Sequence, residues 1–200
     1  TLGFNVRMRP TALLLTLLLS VVASVALAGA AEKRAPRSAP TTAAWVTPAI
    51  SAPHVSHHVF TSRSAGAPVS YHLFTPAAYE RENQRRFPVL YWLHGSGGGL
   101  AGIPQLAGVF NQAIESGRLP ACLVVLVNGL PDGMYLDWKD GSVKVESVII
   151  HDLIPHIDAS HRTIADRSGR VIEGFSMGGY GAARLGFSHP HIFAGVSLLG

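Results

Sequence analysis

Two stretches, FPVLYWLHG at 87–95 and CLVVLVNG at 122–129, are apolar without the alternation of a half-exposed strand. A strand of that kind hides both of its faces. Between them, LAGVFNQAIESG (106–117) spaces its apolar residues as a helix does and stops at Gly117. Strand, helix and strand in that order predict a mostly parallel sheet with helices on both faces, an α/β fold. The alternation continues downstream. VKVESVIIHDLIPHIDASH (143–161) repeats Val145, Ile149 and Leu153 four apart, so an amphipathic helix is expected, with Pro155 kinking it or marking its last turn. RVIEGF reads as a strand, GGYGAARLGFSH as a helix closed by Pro190, and FAGVSLLG as a further strand. Ahead of all these, HVSHHVFTS and PVSYHLFTP are β-prone runs meeting at Gly66-Ala67-Pro68, which predicts a hairpin.

The N-terminal part has another character. Arg7 and Arg9 precede TALLLTLLLSVVASVALAGA, with an A-x-A pattern at Ala26 and Ala28. That order reads as an export signal over residues 1–31, with Met8 as the true start. An uncleaved membrane anchor is the alternative, and either places the domain outside the cytoplasm. Residues 32–53, EKRAPRSAPTTAAWVTPAISAP, have linker composition, leaving 54–200 for one domain. With 48% hydrophobic and 14% charged residues, the chain is not a disordered one. The formal charge of +4 comes without a Lys/Arg cluster interleaved with aromatics, so no nucleic-acid partner is expected. A membrane partner is expected only if the leader is retained. Cys122, the single cysteine, lies in an apolar run and reads as a buried thiol.

The chemistry centres on RVIEGFSMGGYGAAR (170–184). Ser176 stands between a predicted strand and a predicted helix, with Gly174 two residues before it and Gly178 two after. A serine on such a turn is lifted above the sheet as a nucleophile, and its flanks must be small because strand and helix nearly touch. Gly179, Gly181, Ala182 and Ala183 let the helix lie close. Acyl transfer also needs backbone N–H donors for a developing oxyanion. Met177, next after the serine, offers one. The glycine run of LHGSGGG (93–99) offers the other, from Ser96 or, failing that, Gly97.

Taken together, LHGSGGG, VNGLPDGMYLDW, HDLIPHIDASHRT and EGFSMGGYGAARL resemble the esterase D and feruloyl-esterase-like group of α/β-hydrolases. The secreted mycolyl-transferring proteins belong to the same wider group. The resemblance runs over about 58–200 and implies an α/β-hydrolase fold and serine carboxylesterase or acyltransferase activity. Ser176 would be the nucleophile, and the N–H groups of Ser96 and Met177 the oxyanion hole. No cofactor or metal is implied.

This class orders its triad serine, acid, histidine. MGGYGAARLGFSHPHIFAGVSLLG, which follows Ser176, holds no Asp or Glu. His189 and His191 fall beyond a helix of about 18 Å and read as helix-end and turn residues. The expectation is therefore a chain truncated on its C-terminal side, with acid and base beyond residue 200. The loop DGMYLDWKDGS (132–142) suggests a substrate surface in which Tyr135 and Trp138 stack on a sugar or aryl group beside Asp137, or else a solvated loop whose aromatics cover the core. Glu146 reads as a structural carboxylate. GGGLAG (97–102) matches a dinucleotide fingerprint only formally, since no acid ends the next strand. The histidines at 57, 58, 151, 156 and 161 lack zinc-site spacing and read as surface or packing residues. The expected substrate is a small-molecule or polysaccharide-linked ester. A catalytically inactive binding module on the same fold is the alternative to an enzyme.

Overall fold

The structure, a computed structural model, describes residues 44–200. The leader assigned to 1–31 and the first part of the linker lie outside the described residues. Among the described residues six strands form one sheet, in the order β1-β2-β4-β3-β5-β6. The strands are β1 Val55–Ser62, β2 Ala67–Phe74, β3 Val89–Leu93, β4 Leu123–Val127, β5 Arg170–Phe175 and β6 Gly195–Leu199. The helices are α1 Ala77–Arg81, α2 Ile103–Glu115, α3 Val145–Ser147, α4 Ile154–Ser160 and α5 Met177–Ser188. The β1–β2 hairpin joins β4 antiparallel, whereas β3–β4, β3–β5 and β5–β6 are parallel. The hairpin turn is 63–66 rather than Gly-Ala-Pro, because Ala67 and Pro68 already pair with Ser62 and Thr61.

The apolar strands hide both faces, as their composition demands. Tyr71, Tyr91, Leu93, Val125 and Ile172 pack on one side with Ile149, Leu153, Met177, Ala182 and Leu185. Leu90, Trp92, Val124, Leu126 and Val171 pack on the other against Leu106, Ala107 and Phe110 of α2. Each large side chain so buried contributes about 1.5–3 kcal/mol. Pro104 sits in the first turn of α2, where a missing N–H leaves no hydrogen bond unmade. Cys122 is buried, and burial pushes its thiol pKa up to about 12.

The expected helix over 143–161 forms in three pieces: α3, a π-helical segment Val148–Leu153, and α4. Pro155 does not mark its last turn. It falls in the first turn of α4, and the wider π winding ahead accommodates a residue that cannot donate to the previous turn. Asp152 ties this segment to the hairpin, accepting from the Ser62 hydroxyl at 2.5 Å and the Ser64 N–H at 2.8 Å.

The composition-based linker boundary at residue 53 is corrected. Trp45 is only 8% exposed and packs in the main core. Its carbonyl accepts from Ser70 N–H at 2.8 Å, and Thr47 N–H donates to the Ser70 hydroxyl at 2.8 Å. Residues 44–53 are therefore part of the domain, which proline and alanine content cannot reveal.

From β3 the chain moves to β4 on one side and later returns to β5 on the other. The carboxyl ends of β3 and β5 thus flank the switch point where open α/β sheets take their ligands. The 93–99 loop follows β3, and Ser176 follows β5.

Candidate active site

Ser176 occupies the turn between β5 and α5, with φ 54° and ψ −116°. Left-handed φ at a residue with a side chain is strained and persists only where the surroundings impose it. Here they do so through contact. Ser176 N–H donates to Leu199 O at 2.7 Å, fixing the turn to the end of β6. A Cβ on Gly174 would stand 2.1 Å from Gly178 O, and one on Gly178 would stand 1.9 Å from Leu93 O. Strand and helix therefore touch backbone to backbone, as the small residues require. Ser176 is exposed, and its side chain caps no helix N–H. Beneath it the N-terminus of α5 presents free N–H groups and a positive dipole end.

The 93–99 loop lies beside the serine: a Cβ on Gly95 would be 3.4 Å from the Ser176 Cβ. Gly97, Gly98 and Gly99 have φ of 99°, 100° and 66°, a run of left-handed residues that only glycine adopts cheaply. Gly97 N–H donates to Pro131 O at 2.9 Å, so the fallback oxyanion donor is engaged within the fold. Ser96 is exposed at the loop's tip.

His94 orders this loop, a role the sequence did not disclose. Its Nδ1 bonds Gly95 O at 2.7 Å, and its Nε2 accepts from Gly129 N–H at 3.2 Å. A carbonyl can only accept and an amide can only donate, so the partners assign the neutral Nδ1–H tautomer. Burial lowers its pKa, partly opposed by the bond to Gly95. A small cleft lies behind the loop, lined by His94, Gly98, Gly99, His72, Thr47 and Asn128 among others, but not by Ser176.

The substrate-loop expectation is overturned for Tyr135. It is 0% exposed, in the main core, and its hydroxyl donates to His94 O at 2.9 Å. Asp137 accepts from the Ser147 N–H at 3.0 Å and the Ser147 hydroxyl at 2.5 Å, holding α3 in place. Trp138 is half-buried against the main core. Two aromatics near the turn in sequence are exposed: Phe175, whose ring lies beside Gly95, and Tyr180, one turn into α5.

Glu146 is structural, as its position suggested. It accepts from Arg184 Nη2 at 2.8 Å and meets His189 Nε2 at 2.9 Å, joining α3 to the far end of α5. His189 is thereby held a helix length from Ser176. Of the other histidines, His58, His156 and His161 pack around the hairpin, whereas His151 is exposed. Tyr71 Oη lies 3.1 Å from His156 Nε2 and 3.3 Å from His161 Nε2, while His58 stacks on the Tyr71 ring. Among the described residues no group of three or more His, Cys, Asp or Glu could hold a metal ion.

A serine on a strained strand-to-helix turn at the switch point, facing a glycine loop, defines the α/β-hydrolase class. Solved structures agree: a ferulic acid esterase superposes with a TM-score of 0.63 and 28% identity, over 70% of this chain and 54% of that one. The match to the Esterase family spans residues 62–200, and the chain belongs to that family. Among curated relatives, an endo-1,4-beta-xylanase/feruloyl esterase of Xylanibacter ruminicola is 30% identical over 162 residues, 75% of this chain and 22% of that protein. An esterase of Mycobacterium tuberculosis is 30% identical over 156 residues, 72% of this chain and 32% of that protein. The chain thus spans less than a third of these relatives' own lengths and about half of the ferulic acid esterase.

Proposed function

We propose that the domain hydrolyses carboxylic esters through an acyl-enzyme on Ser176. The observation that carries this reading is the imposed turn at Ser176, beside the loop that offers Ser96 N–H. In the proposed reaction the Ser176 oxygen attacks the acyl carbon, and the carbonyl oxygen becomes an oxyanion between the N–H groups of Ser96 and Met177. The serine's proton passes to a general base and then to the leaving alcohol. Water attacks the acyl-serine, releases the acid and restores the serine. Neither nitrogen of His94 is free for the task, and His189 is held away by Glu146.

The substrate class is an ester of a small aromatic acid, free or linked to polysaccharide. Exposed Phe175, next to the serine, supports an aryl group there, and relatives described as feruloyl esterases support the same chemistry. The A-x-A leader pattern supports a place of action outside the cytoplasm.

The test is a fluorophosphonate probe applied to the intact protein. Labelling confined to Ser176, with p-nitrophenyl ester turnover lost in Ser176→Ala, is the expected result. An unlabelled Ser176 would favour a binding module. Transfer of the acyl group to an added sugar, in preference to water, would move the assignment to an acyltransferase.

A further inference from the structure

One buried side chain touches both supports of the proposed oxyanion hole. Tyr135 has φ 53° and is wedged between three backbone surfaces. Its hydroxyl donates to His94 O, at the root of the glycine loop. A Cβ on Gly129 would meet its ring at 2.2 Å, and one on Gly181, in α5, would meet it at 2.4 Å. The loop that carries Ser96 and the helix that begins with Met177 therefore both rest on the same ring.

We infer that Tyr135 is a positioning residue that sets the spacing and aim of the two oxyanion donors, Ser96 N–H and Met177 N–H. This rests on the proposed role of Ser176. A trans peptide is planar, with its C=O and N–H pointing in opposite directions. The Gly95–Ser96 peptide is held at its carbonyl by His94 Nδ1, which aims Ser96 N–H the other way. His94 is in turn anchored at its own carbonyl by Tyr135. On the other side, the ring fills the space opened by Gly181 and fixes how closely α5 approaches. The hydroxyl thus governs one donor, and the ring governs the distance to the other. A donor displaced from the developing charge loses catalysis without losing ground-state binding, because it acts on the oxyanion rather than on the bound ester.

The experiment compares wild type, Tyr135→Phe and Gly181→Ala of the intact protein with a p-nitrophenyl ester, after probe labelling of Ser176 in the wild type. Tyr135→Phe keeps the ring and frees the His94 carbonyl. It should lower kcat roughly tenfold or more with KM within about twofold, a split that general loosening of the fold would not give. Gly181→Ala pushes on the ring and should give the same split. If Gly181→Ala does not fold, Tyr135→Phe, which adds no atom to the core, decides alone. A kcat within about twofold of wild type, or a loss lying wholly in KM, overturns the inference. A wild type that the probe does not label at Ser176 overturns the nucleophile assignment first and this inference with it.

Discussion

The Ser197 hydroxyl donates to Glu173 Oε1 at 3.0 Å, while Glu173 Oε2, fully buried, has no partner among the described residues. A strand residue three positions before the proposed nucleophile thus carries a half-satisfied carboxyl. Burial raises its pKa from 4.5 to about 7, with the Ser197 bond opposing.

That shift sets a pH dependence. Below pH 4.5 the carboxyl is protonated folded and unfolded alike, and no penalty arises. As pH rises from 4.5 towards 7, the unfolded chain gives up its proton and the folded one keeps it, so stability falls. Above about 7 the deficit is constant, about 3 kcal/mol. Glu173→Gln should therefore be more stable than wild type in urea at pH 8 and close to it at pH 4.5. An equal difference at both pH values would remove the burial argument.

The histidines around Tyr71 act in the opposite sense. Burial lowers the pKa of His58, His156 and His161, the last to about 4. The stability tied to their neutral forms is intact above the ordinary histidine range and is lost as pH falls from about 6.5 towards 4. His161→Asn should flatten this acid limb by about 1 kcal/mol once solvent screening is allowed for. Urea midpoints of variant and wild type at pH 7.5 and 4.5 measure it. A difference independent of pH would show that the imidazole's charge plays no part.

Ser176 holds φ 54°, at a cost of about 1–3 kcal/mol that glycine does not incur. Ser176→Gly should melt several degrees above Ser176→Ala, with both unreactive towards the probe. Equal melting temperatures would mean that the turn is unstrained.

The contact beneath the turn is less forgiving. Gly178→Ala would drive a methyl to within 1.9 Å of Leu93 O, and backbone cannot step aside as a side chain can. A loss of more than about 4 kcal/mol, or failure to yield folded protein, is expected. Circular dichroism and thermal melting decide it, and a variant that melts within a few degrees of wild type would contradict the packing described.

Much of this was legible because glycine and continuous apolarity carry their own reasons. Gly174, Gly178 and Gly181 stand where any side chain would collide, and VLYWL and LVVLV can exist only between two covered faces. Tyr135 was not legible. An aromatic in a polar loop reads equally as a ligand platform or as a plug, and only the hollows at Gly129 and Gly181 decide between them. Trp45 was hidden by its neighbours' composition, and Pro155 by a helix that changes its winding to admit it. Ser96 was named from the glycine run, whereas the exclusion of Gly97 needed the carbonyl of Pro131, far away in sequence.

The parallel register of β3 with β5 joins Val89 to Arg170, across roughly eighty intervening residues. Pairings of such long range are slow to form, since the loop must close before any contact rewards it. The bend that exhibits Ser176 has no existence until that closure is made. A chain still emerging from the ribosome, or held extended for export, would carry its hydroxyl as an ordinary alcohol, and reactivity would arrive only with the finished sheet.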